Sequence, residues 1–371
     1  MEKKLKVLLY SPYVPKHTGG GEKYFFDVAL TLAKKHTVVI GIPNLNPRDT
    51  QAIKKKYEDF LGYRLDGLEL RSCLLGSSAS FLSKLFFTQK FDVVYYITDG
   101  SLFFSLARRN ILHIQVPLQL SKVSLIERLK LAQWQVKNTN SFFTKSVIEE
   151  SWNTKINVVH QPMISMDELS LTPTQLVRKE KIILSVGRFF SHLHSKRQDI
   201  LVQLFQQLQK QSSIAREWQL VLIGAVEDEE FAQKVSELAQ GLPIHILHDV
   251  SRTELLSWYK KASIYWHAAG FEVDQTLHPE KVEHFGISTL EAMAACCAPI
   301  VINKGGQPEI LSQELGGYLW DFPDQCIDLT ESLMADPELR QEVQQQANKR
   351  ARDFDGTRFT QQLFDMVEGK I

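Results

Sequence analysis

LKVLLYSPYVPKHTGGGEKYFFDVALTLAKKHTVVIGI, residues 5–42, decides the fold class. LKVLLY (5–10) and TVVIGI (37–42) are short β-rich runs of the kind that suits strands buried in a parallel sheet. Between them, prolines and the triplet Gly19, Gly20, Gly21 predict a loop. From Glu22 to about Lys35, the spacing of Phe25, Val28, Ala29 and Leu32 predicts an amphipathic helix. Strand, loop, helix and strand in this order make a parallel crossover unit. The glycines do not form G-x-G-x-x-G, so the dinucleotide fingerprint is unsupported. Two readings of the loop stay open: small residues that let a diphosphate approach the backbone ahead of a helix N-terminus, or a flexible loop with no ligand.

The same alternation continues along the chain. DVVYYI (92–97) and NILHIQV (110–116) read as strands, 124–136 as a helix, and INVVHQP (156–162) as a short strand running into a proline. Residues 51–90 are harder to order. They contain a helical stretch at 52–61 and an apolar cluster of Phe81, Leu82, Leu85, Phe86 and Phe87 beside Lys84 and Lys90. The cluster reads first as ordinary core packing, with a basic-aromatic face against anionic lipid as the alternative. His113 and Gln115 are two apart and share a strand face, so at a strand's C-terminal edge they would reach a ligand crevice. A satisfied core histidine is the competing account of His113. Residues 163–179, polar and aperiodic with Pro173 inside, read as a linker.

A second series of strands and helices follows: IILSV (182–186), QLVLI (219–223), 244–247, IYWH (264–267) and 298–302, with helices between. Two successive blocks imply two doubly wound domains. At 371 residues the chain also exceeds what one core usually serves. The expected domains are 1–165, joined by a C-terminal helix 357–371, and 180–356. Lys+Arg and Asp+Glu both total 43, so no global charge points to nucleic acid. Cys73, Cys296, Cys297 and Cys326 lack metal-ligand spacing and read as reduced cytosolic thiols. His192 and His194 have no matching carboxylate or cysteine, so a metal reading is rejected. The N-terminal run reads as a first strand, not a signal peptide, and no stretch reaches the ~18 apolar residues of a membrane span.

Three motifs carry chemistry. Arg188 directly follows a strand and Lys196 stands eight residues on, so a bidentate fork and a point charge can converge on one anion. KVEHFGISTLEAMAA (281–295) holds Glu283 and Glu291, separated by seven residues. Ser288 and Glu291 match a capping box, which predicts a helix with Ser288 at its N-cap and Gly286, Ile287 and Ser288 at its anion-receptive start. The competing reading makes Glu291 a cap and Glu283 a solvated loop charge. Finally, Gly305, Gly306, Pro308 and Glu309 form a Gly-Gly-x-Pro-Glu turn.

Taken together, the glycine loop, the Arg/Lys pair, the glutamate pair and this turn, in this order over nearly the whole chain, resemble the retaining nucleotide-sugar glycosyltransferases of family 4. These have the GT-B fold, two Rossmann-like α/β domains facing across a cleft. The resemblance implies transfer of a hexose, of mannose or glucose type, from a nucleoside-diphosphate sugar to a saccharide or lipid-linked saccharide, with no metal or other cofactor. It implies Glu283, Arg188 and Lys196 as catalytic residues. Donor binding would fall to Gly20, Gly21, Arg188, Lys196, Gly286, Ile287, Ser288 and Glu291, with the sugar or acceptor touched by His113 and Gln115. The His284-Phe285-Gly286-Ile287 wording is similar to that of mannosyltransferases that extend lipid-linked oligosaccharides, which favours GDP-mannose, with a UDP-hexose next. The expected setting is cytoplasmic, with peripheral contact at the inner face of a membrane. Two departures stand out: Gln115 occupies a position where many relatives have histidine, and Cys296-Cys297 stands where they have glycine. A nucleotide-sugar epimerase and a non-catalytic nucleotide-sugar-binding protein are the alternatives.

Overall fold

Val7 and Leu9 face one way from strand β1 (Lys6–Tyr10), Leu8 and Tyr10 the other, and all four are buried. A strand covered on both faces needs helices on both sides, and that requirement shapes each half of the molecule. The structure, a computed structural model, describes residues 4–119, 123–172, 179–193, 195–311 and 313–371. It divides into two units, Met1–Met163 with Gly356–Ile371, and Ile164–Asp355.

In the first unit, β1 is joined by β2 (Thr37–Pro43), β3 (Glu69–Cys73), β4 (Val93–Thr98), β5 (Arg109–Ile114), β6 (Val136–Thr139) and β7 (Val158–Val159). They form a parallel sheet in the order β3-β2-β1-β4-β5-β6-β7. One face carries helix Gly20–Ala33 and the C-terminal helix Gly356–Glu368, which buries Phe359, Leu363, Phe364, Met366 and Val367. The second unit repeats the plan with β8 (Glu180–Val186), β9 (Gln219–Ile223), β10 (Ile244–Leu247), β11 (Ala262–His267), β12 (Ala298–Ile302) and β13 (Leu319–Trp320), ordered β10-β9-β8-β11-β12-β13. All its pairings are parallel. In both sheets the strand order reverses once, between β1 and β4 and between β8 and β11. Groups following the C-terminal ends of those strands therefore line a crevice.

Several local expectations are corrected. The first helix begins at Gly20, not Glu22, so Gly20 and Gly21 form its first turn instead of a loop. Strand β3 was not expected: ELRSC is polar because it is an edge strand paired only with β2. The helix expected over 124–136 is Leu125–Gln133, because Val136 is taken by β6. From Ile164 onward the expected linker belongs to the second unit. Ile164 donates its N–H to the Phe354 carbonyl at 3.1 Å, and Leu169 is fully buried; Pro173 lies outside the described residues. Core packing of 81–87 also fails for three residues, since Phe81, Leu82 and Phe86 on helix Phe81–Thr88 are exposed.

Candidate functional site at the switch point of the second sheet

The C-terminal end of β8 continues into Gly187 and Arg188. A Cβ at Gly187 would overlap the Lys196 side chain, so glycine is what allows the Lys196 stem to lie across the strand end beside Arg188. Gln198 holds this loop shut, its amide donating to the Gly187 carbonyl at 2.9 Å and to that of Arg188 at 3.2 Å. Arg188 itself donates through Nη1 to both oxygens of Glu227, at 2.8 and 3.0 Å. The cation expected to grip an anion is thus held by a carboxylate in this structure.

From the neighbouring strand β11, the last residue, His267, sends Nε2 to Glu283 Oε2 at 3.0 Å. Lys196 Nζ donates to the same oxygen. Both donors converge on Oε2, and no hydrogen bond to Oε1 is present among the described residues. Burial pushes the Glu283 carboxyl up, but the Lys196 ammonium and the His267 hydrogen bond outweigh it and hold it well below the ordinary carboxylate range. Burial also holds the His267 imidazole below its usual value, against the pull of Glu283. A neutral imidazole that donates from Nε2 leaves Nδ1 as an acceptor, and Nδ1 is buried with no partner among the described residues. Glu283 is therefore an ionised, anchored carboxylate and not a solvated loop charge.

The loop after Glu283 is braced from below. Gly306 donates its N–H to the Glu283 carbonyl at 2.8 Å. Side chains at Gly305 or Gly306 would strike the backbone of Glu283, His284 and Phe285. The Gly-Gly-x-Pro-Glu turn thus serves as a close-fitting support for the glutamate loop.

Helix Ile287–Ala294 corrects the expected capping box. Its N-cap is Gly286, left-handed at φ 113°, with no side-chain cap; Ser288 lies inside the first turn and bonds Tyr265 Oη at 2.9 Å. Tyr265 also reaches the Val186 carbonyl at 3.4 Å, tying the ends of β8 and β11 to the helix start. The first backbone N–H groups of the helix, at Ile287 and Ser288, lack intrahelical acceptors by geometry. Beside Gly286, the fully buried Gln307 amide has no partner among the described residues. Glu291 does not cap either. Its Oε1 accepts from Arg252 Nη2 at 2.8 Å, and the same Nη2 reaches Glu168 at 3.1 Å. Burial works against the Arg252 guanidinium, but Glu291 outweighs it and holds it above its ordinary value.

Lys196, Glu283, the start of the Ile287 helix and Arg188 are thus brought to one strand edge. His267, Tyr265, Glu227, Arg252 and Gln307 are the residues that sequence reasoning missed. The one signal for His267 was a histidine closing an apolar strand.

The remaining candidates lie in the first unit. Gln115 donates to the Gly21 carbonyl at 3.4 Å, so these two are together. His113 is fully buried, stacked on Tyr24 at 4.1 Å and bonded to Asn138, and burial pushes it down to about 3. It is a core residue, which corrects the expected contact with sugar or acceptor: a side chain without exposed surface cannot touch one. Of the two histidines weighed for a metal, His192 is exposed and His194 lies outside the described residues.

Two doubly wound parallel-sheet units, the second with charged groups at its switch point, define the GT-B fold. Comparison with known proteins agrees. Residues 170–350, inside the second unit, match the family described as "Glycosyl transferases group 1". Among curated proteins the chain is similar to a GDP-Man:Man(3)GlcNAc(2)-PP-Dol alpha-1,2-mannosyltransferase of Neurospora crassa. The two are 27% identical over 219 residues, covering 50% of this chain and 36% of that one. The chain spans 36% to 57% of the length of the curated relatives it matches. Among solved structures it resembles a glycosyltransferase from Rickettsia africae, with TM-score 0.72, 17% identity, and coverage of 99% of this chain and 98% of that one. It also resembles Anabaena Alr3699/HepE in complex with UDP-glucose, with TM-score 0.72, 15% identity, and coverage of 98% and 100%.

Proposed function

We propose that the chain is a retaining, metal-independent glycosyltransferase that moves a hexose from a nucleoside-diphosphate sugar to a saccharide or lipid-linked saccharide. The observation that carries this reading is the anchored Glu283, ionised beside Lys196 at the β8–β11 switch point and next to a helix N-terminus. The bond between the sugar's anomeric carbon and the diphosphate oxygen breaks, and a bond to the acceptor oxygen forms on the same face. The electron pair leaves with the diphosphate, whose oxygen takes the acceptor's proton. Negative charge grows on the diphosphate as positive charge grows on the sugar. Lys196, Arg188 and the backbone N–H groups at Gly286–Ser288 meet the first, and the open Oε1 of Glu283 faces the second. With protein cations taking the leaving-group charge, the reaction needs no metal.

For Lys196 to serve the diphosphate it exchanges Glu283 for phosphate oxygen, and for Arg188 to do so it releases Glu227. Glu291, steadied by Arg252, offers its second oxygen to the ribose diol. Gly20, Gly21 and Gln115 are proposed as further donor or acceptor contacts. Two donors head the trial set: GDP-mannose, named for the Neurospora relative, and UDP-glucose, held by the Anabaena protein. The four buried free thiols suit a reducing, cytoplasmic setting.

A thermal-shift panel of GDP-, UDP- and ADP-sugars identifies the donor, because a ligand that binds the native state raises its apparent stability. The matched donor is then supplied with mono- and oligosaccharide acceptors. Product with the donor's anomeric configuration supports the reading. Epimer formed from donor alone would establish an epimerase instead, and binding without transfer or hydrolysis a non-catalytic protein. Lys196→Ala and Arg188→Ala are each expected to raise the barrier by about 2 kcal/mol or more.

A further inference from the structure

Helix Phe81–Thr88 and helix Leu125–Gln133 carry their apolar residues outward. Phe81, Leu82 and Phe86 on the first, and Leu125, Ile126 and Leu129 on the second, are between 56% and 74% exposed. The two patterns match: adjacent apolar residues at the start, then another one turn on, so each helix shows one continuous apolar stripe. The segment 104–106 links the two helices. Thr88 Oγ1 accepts the Leu106 N–H at 3.0 Å, and Gln133 accepts the Ser105 N–H at 3.0 Å while donating back to its carbonyl. The Phe81 ring meets Phe104 edge-on at 5.8 Å, and Leu106 between the helices is exposed as well. Single exposed leucines are ordinary, but six large side chains on two joined helices, with Leu106 between them, mark a docking surface.

The charges around the stripes select the partner. Lys84 and Lys90 accompany the first helix, which has no acidic residue, and Arg128 and Lys130 flank the second. The one acid there, Glu127, is turned back onto the chain: it accepts the Ser124 N–H at 2.7 Å, and that bond holds it below its ordinary value. An apolar centre with a basic margin fits anionic headgroups over acyl chains. None of the described helices is long and apolar enough to cross a membrane, so the contact lies along the surface.

We propose that this face seats the chain on an anionic phospholipid bilayer, with Phe81, Leu82, Phe86, Leu125, Ile126 and Leu129 entering the headgroup–acyl boundary. Lys84, Arg128 and Lys130 meet the lipid phosphates. The proposal concerns only the first unit and stands apart from the catalytic reading.

The test is co-sedimentation of the full chain with phosphatidylcholine vesicles containing phosphatidylglycerol and with vesicles of phosphatidylcholine alone. Binding is expected to the former, weakening as salt is raised. The double variants Phe86→Glu/Ile126→Glu and Lys84→Glu/Arg128→Glu are each expected to weaken it by about tenfold or more. Because these side chains are not in the core, thermal melting should be unchanged, which separates lost docking from lost folding. No binding at low salt, or binding that both double variants retain in full, overturns the proposal. So does a dimer in light scattering that Phe86→Glu/Ile126→Glu returns to monomer while vesicles are ignored, since the face would then serve a second copy.

Discussion

Replacing His267 by alanine removes one of the two donors that hold Glu283 Oε2. In the resting site the loss is partly masked, because Lys196 still neutralises the carboxylate. On the proposed reading a diphosphate draws Lys196 away, which leaves His267 as the donor that keeps Glu283 in place, and the variant has none. A hydrogen bond to a charged group contributes about 1.5–3 kcal/mol, so kcat should fall by roughly tenfold to a hundredfold. The donor KM should change little, because the proposed diphosphate contacts are untouched. A second readout is the pH profile. Glu283 is depressed by Lys196 and by His267, so it stays ionised well into acid; without His267 its pKa rises. The acidic limb of kcat should therefore move to higher pH in His267→Ala and partly return in His267→Gln, whose amide can still donate. Steady-state kinetics over pH, alongside thermal melts, measures all of this. A folded His267→Ala enzyme with wild-type kcat and an unmoved acidic limb refutes the positioning role, because a packing role alone would shift only the melt.

Three further outcomes follow from the same structure. Arg252→Ala strands the buried Glu291 carboxylate and should destabilise the chain by about 3–5 kcal/mol, part of which Glu291→Gln restores in the double variant; chemical denaturation measures both. Gly306→Ala places a methyl against the His284 carbonyl and Phe285, so about 1–3 kcal/mol of stability should go, together with donor affinity in the thermal-shift assay. Burial holds His113 down at about 3 and His160 at about 4, both below the usual value of about 6.5. Both are neutral when folded and bind protons on unfolding, so their contribution is complete above pH ~6.5 and is lost as pH falls toward those lower values. At pH 5 the loss is about 2 kcal/mol for each, and denaturation midpoints that stay level from pH 7 to 5 would contradict it.

The alternation of strand and helix was legible because a strand buried on both faces must be largely apolar, as β4 and β11 are. Arg188 and Lys196 could be singled out because their place in the loop after β8 is a local fact, and Glu283 because it stands just before a helix start. The reading broke where a local rule met a distant partner. Ser288 and Glu291 satisfy the spacing of a capping box, yet Tyr265 takes the one and Arg252 the other, leaving Gly286 to start the helix. Composition likewise showed an apolar cluster at 81–87 but not whether anything covers it.

What the sequence by itself determined is the order of elements, the parallel-sheet class and the strand ends at which chemistry gathers, since these depend on neighbours a few positions apart. Only the tertiary structure decided which charges meet. Lys196 and Glu283 stand 87 positions apart, and their pairing exists because β8 and β11 lie side by side at the reversal of the sheet. A hydrogen bond needs a few ångströms and a direction, and those are properties of the folded backbone, not of any stretch of chain.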